Sequence, residues 1–183
     1  MADLADDVYR RLLVIRCQVG DRGAFEELVA QYQPRLRGFL FKMLPVEQNV
    51  DDVAQEVWMD VFCNLSALSD PGAFLPWLYR IAHNRAYSVL RRRRLPVGSL
   101  ESVDVAEPVD DSADFRAEDA RAVHAAMDQL SPEHREVLLL RFMQEMSYEE
   151  IAIVAGCQIG TVRSRIHHAK RALREILRPG EKS

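Results

Sequence analysis

The stretch SYEEIAIVAGCQIGTVRSRIHHAKRAL (147–173) carries the strongest structural signal in the sequence. Ser147 and Glu150 have the spacing of a capping box, which predicts the start of a short helix. Gly156 can adopt the positive φ that a tight turn between two helices requires, so it predicts the end of that helix. Apolar spacing predicts a second helix over about 159–175. The stretch as a whole predicts a helix-turn-helix.

The second predicted helix has one apolar face and one polar, mostly basic face. The apolar stripe consists of Ile159, Val162, Ile166, Ala169 and Leu173. The outward face carries Thr161, Arg163, Ser164, Arg165, His167, His168, Lys170 and Arg171. Arg163 and Arg165 could reach base edges in a major groove, whereas Lys170, Arg171 and Arg174 are better placed for phosphates. A plain helical hairpin with a solvated basic face is the alternative; the coincidence of cap, glycine turn and two faces favours DNA binding.

Helical spacing also runs through the N-terminal half of the chain. Apolar residues at three- and four-residue steps predict helices over about 22–43, 50–65 and 74–93. Pro34 lies inside the first of these and is expected to kink or split it. Ser131-Pro132-Glu133 predicts a further helix start near the C-terminal stretch. We recognise no strand pattern, so the predicted fold class is all-α.

A change of composition divides the chain. Residues 95–116 contain two prolines, many acids and no sustained periodicity, which is typical of a flexible linker extended by its own charge. The predicted organisation is a helical domain over 1–94, an acidic linker over 95–116 and a second helical domain over 117–183.

The formal net charge of −4 conceals two basic segments. Residues 74–94 carry six arginines and no acid, for a net charge of +6, and residues 158–183 have a net charge of +5. The remaining segments are acidic, with −7 over 95–120 alone. Because non-specific DNA affinity comes from phosphate neutralisation, the free chain is expected to bind DNA poorly by itself.

The basic segment FLPWLYRIAHNRAYSVLRRRR (74–94) interleaves aromatic residues with arginines. Arginines pair with phosphates and aromatic rings stack on unpaired bases, so this composition suits single-stranded DNA. For Trp77 a place in the core is the favoured alternative. Asn84 could hydrogen-bond a base edge or could simply be exposed.

Several functional classes find no support in the sequence. No apolar stretch is long enough for a membrane span, and the acidic N-terminus lacks the apolar region of a signal peptide. Cys17, Cys63 and Cys157 are far apart, which favours reduced thiols over a disulfide or zinc site. No phosphate-binding glycine loop, GxSxG or HExxH motif is present. We therefore expect no enzyme activity, no catalytic residues, no metal and no cofactor.

Four blocks in order resemble the extracytoplasmic-function (group 4) sigma factors of the sigma-70 family. DRGAFEELVAQYQPRLRGFLFKML resembles region 2.1 of that family, and NVDDVAQEVWMDVFCNL resembles region 2.2. FLPWLYRIAHNRAYSVLRR resembles regions 2.3–2.4, and the block from LSPEHREVLLLRF to HHAKRAL resembles region 4. The resemblance covers about residues 21–175.

This resemblance implies an RNA polymerase sigma factor that directs core polymerase to specific promoters. The first domain would dock on the clamp helices of the largest polymerase subunit through Asp51, Asp52, Gln55, Glu56 and Trp58. The alternative is that the acidic residues only stabilise the dipole of their own helix and keep the protein soluble. The −10 element would be read by Arg80, Asn84 and Arg85. The −35 element would be read by the outward residues of the second helix of the helix-turn-helix, Thr161 to Arg171.

The resemblance also implies partners and a location. An anti-sigma factor is expected to clamp the two domains, and the protein is expected in the cytoplasm. The acidic linker either enters basic channels of the polymerase or only keeps the spacer extended; both readings stay open. The rival functions are a stand-alone helix-turn-helix regulator, which would need a ligand domain in front, and a protein that binds polymerase without initiating.

Overall fold

A computed structural model describes residues 2–45, 49–93 and 125–177 of the chain. These ranges contain the helices α1 (Ala2–Gln18), α2 (Arg22–Met43), α3 (Val50–Asn64), α4 (Phe74–Arg93), α5 (Pro132–Leu138), α6 (Tyr148–Ala155) and α7 (Ile159–Leu177). The chain divides into two compact units: described residues up to 93 belong to the first, and nearly all of those from 125 onward belong to the second. The described residues contain no strand, and the prediction of an all-α fold with two helical units is confirmed.

Helix α1 is the one α-helix among the described residues of the first unit that the sequence pattern did not predict. Its buried residues, Leu13 and Val14, point into the unit, but Val8, Leu12 and Ile15 are exposed on the other side. Because apolar residues occupy both faces, no single stripe with a helical period stands out. The amide of Gln18 then fixes the end of α1 by donating to the carbonyl oxygens of Leu65 and Leu68.

Helix α2 runs through the centre of the first unit. Asp21 caps its N-terminus by accepting a hydrogen bond from the amide of Ala24, at 3.0 Å. The expected split at Pro34 does not occur, since the helix continues unbroken from Arg22 to Met43. Pro34 is exposed, so water can solvate the carbonyl whose helical hydrogen bond the proline removes. Leu28, Leu36, Phe39 and Leu40 are fully buried on the inner face.

Helices α3 and α4 pack against α2 and against each other. Asn49 caps α3, and valines at three- and four-residue steps, Val53, Val57 and Val61, form its buried stripe, while Val50 at the helix start is partly buried. Two 3₁₀ turns, Leu65–Ala67 and Pro71–Ala73, connect α3 to α4. Aromatic rings of α4 fill the core: Phe74 lies 5.7 Å from Tyr32, and Tyr79 meets Phe39 edge-on at 5.2 Å between centroids.

The second unit begins, among the described residues, with a helical turn at 125–127 and then α5. Ser131 caps α5 and Pro132 occupies its first turn, as predicted. The guanidinium of Arg135 donates to the carbonyl oxygens of Met127, Asp128 and Leu130, which ties α5 to the preceding turn. A π-helical turn, Leu139–Met143, continues α5 and buries Leu139 and Leu140.

Helices α6 and α7 form the predicted helix-turn-helix. Both hydrogen bonds of the capping box are present: the Glu150 amide donates to Ser147 Oγ, and the Ser147 amide donates to Glu150 Oε2. Gly156 ends α6 with φ 64° and ψ 38°, in the left-handed region expected for it. Val162, Ile166, Ala169 and Leu173 form the buried stripe of α7. Ile159, also expected in that stripe, is 37% exposed because it lies at the helix start.

The acidic linker over 95–116, and the start of the second domain at 117, lie outside the described residues.

Candidate protein and nucleic-acid interfaces

Helix α3 presents a polar face at its N-terminal half. Asp51, Asp52, Gln55 and Glu56 are all exposed there, as expected of residues that meet a partner. Asp51 Oδ1 forms an ion pair with Arg37 Nε of α2 at 2.7 Å, so part of its charge is compensated within the unit. Glu56 pairs with Arg85 of α4, whereas Asp52 has no ion-pair partner among the described residues, so the face keeps a net negative charge.

The same face continues into an exposed apolar patch that was not predicted from the sequence. Met59 and Phe62 follow Gln55 at four- and three-residue steps and are 61% and 63% exposed. The ring of Phe62 lies 5.1 Å from that of Phe25 of α2, beside a shallow groove along α2 lined by Val29 and Pro34, among others. Both residues are out of phase with the buried valines of α3, and this phase is the signal that could have identified them.

Trp58, which the resemblance places among the polymerase-binding residues, does not lie on the exposed face of α3. Its side chain is only 7% exposed, and its indole Nε1 donates a hydrogen bond to Gln33 Oε1 of α2. The ring also meets Phe25 edge-on, with centroids 6.1 Å apart. An indole supports much apolar contact and needs one acceptor for its N–H, and the α2–α3 interface supplies both. Trp58 therefore acts beneath the face rather than on it.

Helix α4 carries the three residues predicted for single-stranded DNA. Asn84 is exposed, and Arg80, one turn earlier on the same side, is partly buried. Trp77 is only partly buried, with its ring centroid 6.4 Å from that of Phe74, so it lies at the edge of the core rather than within it.

Arg85 is engaged with α3. Its Nε and Nη2 donate to the two oxygens of Asp60, each at 2.7 Å, and its Nη1 donates to Glu56 Oε2 at 3.0 Å. The hydrogen bonds to Asp60 raise the pKa of the Arg85 guanidinium above its ordinary value. Two carboxylates therefore already compensate this arginine, a feature that sequence spacing did not reveal.

The outward face of α7 is basic and accessible at its N-terminal half. Thr161 and Arg163 are exposed, and Arg163 makes no hydrogen bond or ion pair to the described part of the chain. Ser164, His167 and His168 are partly buried on the same side. This side chain arrangement leaves the guanidinium of Arg163 available to an external acceptor.

Three cations of α7 have partners within the second unit. Arg165 Nη1 lies 3.9 Å from the sulfur of Cys157 in the turn. Lys170 Nζ lies 5.1 Å from the centroid of Phe142, a cation–π contact. Arg171 Nε pairs with Glu175 Oε1 at 3.0 Å, four residues further along the helix. Arg165 lies beside the exposed Arg163, where base contacts are expected, and Lys170 and Arg171 follow further along the helix, where phosphate contacts are expected.

Two histidines meet where α5 packs against α7. The rings of His134 and His168 are nearly parallel, with centroids 6.4 Å apart, and His167 meets His168 edge-on at 5.5 Å. Burial lowers the pKa of His134, and the neighbouring charge of His168 lowers it further, while Glu133 acts in the opposite direction. The neutral form of His134 is therefore favoured in the folded unit.

No group of three or more His, Cys, Asp or Glu side chains among the described residues could hold a metal ion. Among the same residues, no helix is long and apolar enough to cross a membrane.

Both units match models of known protein families. Residues 28–95 match the family model of sigma-70 region 2, and residues 120–173 match that of sigma-70 region 4. The chain is 36% identical to the RNA polymerase sigma-H factor of Pseudomonas aeruginosa, across 91% of this chain and 93% of that protein. It is 32% identical to the ECF RNA polymerase sigma-E factor of Escherichia coli, across 96% of this chain and 98% of that one.

Solved structures agree with these matches. A chain from the structure of CnrH in complex with the cytosolic domain of CnrY is 27% identical, with a TM-score of 0.69; the match covers 94% of this chain and 99% of that one. A chain from the co-crystal structure of the sigma factor RpoE with the anti-sigma factor NepR from Bartonella quintana is also 27% identical. Its TM-score is 0.62, with 84% of this chain and 96% of that one covered.

A helical unit of the region 2 type together with a helix-turn-helix of the region 4 type defines a sigma-70-type transcription initiation factor. The chain belongs to the extracytoplasmic-function (ECF) RNA polymerase sigma factors of that family. Such factors are not enzymes, and the expectation of an RNA polymerase sigma factor is confirmed.

Proposed function

We propose that the two units divide the work of promoter recognition, with the boundaries expected from the sequence. The domain over 1–94 binds core polymerase and the −10 element, the segment over 95–116 is a linker, and the domain over 117–183 binds the −35 element. The observation that carries this proposal is the outward basic face of α7. A capped turn fixes its position, and its exposed Arg163 has no ion-pair partner in the described chain.

The polymerase contact is assigned to the exposed face of α3. Asp51, Asp52, Gln55 and Glu56 supply an acidic half, and the exposed Met59 and Phe62 supply an apolar continuation of the same stripe. Such a stripe is complementary to a helical coiled coil that presents basic and apolar side chains, and we assign this role to the clamp helices of the largest polymerase subunit. Trp58 supports this face from below by holding α3 against α2.

The −10 contact is assigned to α4, through Arg80, Asn84 and Arg85. An exposed asparagine can read a base edge of unpaired DNA, and arginines can hold its phosphates. Because Arg85 forms ion pairs with Glu56 and Asp60, its contact with DNA depends on whether these carboxylates release its guanidinium.

The −35 contact is assigned to α7 in the major groove. Thr161, Arg163, Ser164, His167 and His168 lie towards the base edges, since the N-terminal half of a recognition helix enters the groove. Arg165 lies in the same half of the helix and could also reach a base edge, whereas Lys170 and Arg171 lie further along the helix, where phosphates pass.

Regulation by an anti-sigma factor is part of the same proposal. One of the two solved structures described above contains CnrH with the cytosolic domain of CnrY, and the other contains the sigma factor RpoE with the anti-sigma factor NepR. This chain is similar to a chain of each complex over most of its length. We place the protein in the cytoplasm, where RNA polymerase acts.

Co-purification with core polymerase tests the assignment of α3. Reversal of Asp51 and Asp52 to lysine should reduce recovery of the chain with polymerase, because both exposed charges change sign. Asp6→Lys together with Glu145→Lys is the matched control: both side chains are exposed, neither belongs to α3, and the pair changes the net charge by the same amount. Equal recovery of both double variants, with thermal unfolding showing both folded, would remove the assignment.

A further inference from the structure

The contact between α3 and α4 joins residues assigned to different ligands. Glu56 belongs to the proposed polymerase face and Arg85 to the proposed −10 face, yet Arg85 Nη1 and Glu56 Oε2 are only 3.0 Å apart. Asp60, one turn after Glu56, takes the other edge of the same guanidinium, with an Nη2–Oδ2 distance of 2.6 Å. One arginine thus lies between two carboxylates of the neighbouring helix.

This arrangement makes the local charge unfavourable to DNA. A guanidinium with one carboxylate is neutral, and the second carboxylate leaves the cluster with a net charge of −1. A phosphate that approaches Arg85 therefore meets a negative cluster, and three of the five N–H donors already point at acceptors.

The contact to Glu56 is the weaker half of the cluster. Asp60 accepts two hydrogen bonds from the guanidinium in a forked geometry, which is the stronger arrangement. Glu56 accepts one, and its side chain is 56% exposed against 34% for Asp60. Exposed single ion pairs contribute little free energy, so a partner that offers Glu56 a basic group can replace Arg85.

We propose that Glu56 couples polymerase binding to DNA binding: in the free chain it holds one edge of Arg85, and polymerase frees that edge by engaging Glu56. The released Nη1 then donates to a phosphate of the −10 strand, while Asp60 keeps the guanidinium oriented. This inference rests on the proposed function, since it needs Glu56 to contact polymerase and Arg85 to contact DNA. By linkage, DNA held at Arg85 also favours release of Glu56 to polymerase.

Binding of single-stranded DNA by the free full chain tests the coupling. The probe is a fluorescein-labelled single strand of mixed sequence and about 20 nucleotides, long enough to span one binding groove. Glu56→Gln removes one of the two carboxylates at Arg85 and leaves Asp60 in place. Asp52→Asn removes the same charge from the same helix face, one turn earlier, and leaves the Arg85 cluster intact. Each variant is also made in an Arg85→Ala background.

The expected result is a gain specific to Glu56→Gln. One additional phosphate contact to a single strand steepens the dependence of log affinity on log salt concentration by about 0.7. Between 1 M and 0.05 M salt this added slope amounts to about eightfold in affinity, so the extra contact can tighten binding by at most about eightfold at 0.05 M salt. Glu56→Gln should approach this gain, Asp52→Asn should change affinity less than about twofold, and the gain should vanish in the Arg85→Ala background. In the polymerase complex Glu56 is already engaged, so Glu56→Gln should no longer improve promoter binding.

Two results would overturn the coupling. Equal effects of Glu56→Gln and Asp52→Asn, or a gain that persists in the Arg85→Ala background, would mean that only general charge matters. Arg85→Ala in the polymerase complex separates this failure from failure of the proposed function. If Arg85→Ala weakens promoter binding in the polymerase complex, the assignment of Arg85 to the −10 element stands and only the coupling is refuted. If promoter binding is unchanged, both the assignment and the coupling are refuted.

Discussion

Gly156 fixes the angle at which the recognition helix leaves the turn, and its replacement gives a prediction with a defined sign. The residue has φ 64° and ψ 38°, and its amide donates to the carbonyl oxygen of Ala152 as the cap of α6. An L side chain in this region brings Cβ close to the following carbonyl oxygen, at a cost of about 1–2 kcal/mol. Alanine also restricts the unfolded chain, which offsets about 0.4–1 kcal/mol of that cost.

The net expectation for Gly156→Ala is a destabilisation of about 1 kcal/mol. Gly160 is the matched control, four residues later in the same motif. It lies within α7, with no atom within 4 Å of an added Cβ. Gly160→Ala should therefore stabilise by about 0.5 kcal/mol, because alanine favours the helix and fits without contact. The two substitutions add the same methyl group and should change stability in opposite directions.

Urea unfolding followed by far-ultraviolet circular dichroism measures the difference. With an m-value near 1 kcal/mol/M for a small unit, Gly156→Ala should lower the midpoint by about 1 M. Both tryptophans, Trp58 and Trp77, lie in the first unit, so tryptophan fluorescence should show an unchanged transition. Midpoints that move together for both glycine variants, or a Gly156→Ala variant as stable as the wild type, would refute the role assigned to the left-handed turn.

Three further predictions concern the second unit. Arg163→Ala should reduce discrimination between matched and mismatched −35 sites by about 1–3 kcal/mol without loss of polymerase binding, as measured by competition with the polymerase complex; equal discrimination in wild type and variant would contradict it. Ser147→Ala should lower the stability of this unit by about 1 kcal/mol, because the amide of Glu150 loses its acceptor; an unchanged urea midpoint would count against the cap. The folded-state pKa of His134 lies below its unfolded value, so stability should be complete above about pH 6.5 and decrease as the pH falls below it. His134→Gln should flatten this dependence, and an equally steep decrease in the variant would assign it to other groups.

Much of the fold follows from sequence patterns because its helices have one buried face. The valines of α3 and the stripe of α7 recur with the helical period, and Ser131, Ser147 and Gly156 mark ends that the structure reproduces. Helix α1 was not predicted, because apolar residues occupy two of its faces and no single apolar stripe stands out. At Pro34 a local rule predicted a kink or a split, but the residue is exposed and the packing of α2 keeps the helix continuous.

The candidate sites were predictable in composition but less so in geometry. Sequence spacing places the acids of α3 on one face, and the structure exposes them. It could not show that Trp58 turns inward to Gln33, or that Arg85 pairs with Glu56 and Asp60, since both contacts cross between helices separated in sequence. Which residues oppose one another across a helix interface depends on packing distance and crossing angle, and a single sequence does not encode these locally.

Run-off transcription with purified core polymerase and a pool of genomic promoter fragments tests the central claim most directly. The account predicts discrete transcripts that require both core polymerase and this chain, and that decrease with the Arg163→Ala and Asp51/Asp52→Lys variants. Transcripts no more abundant or specific than those from core polymerase alone would contradict the claim that this chain directs polymerase to promoters.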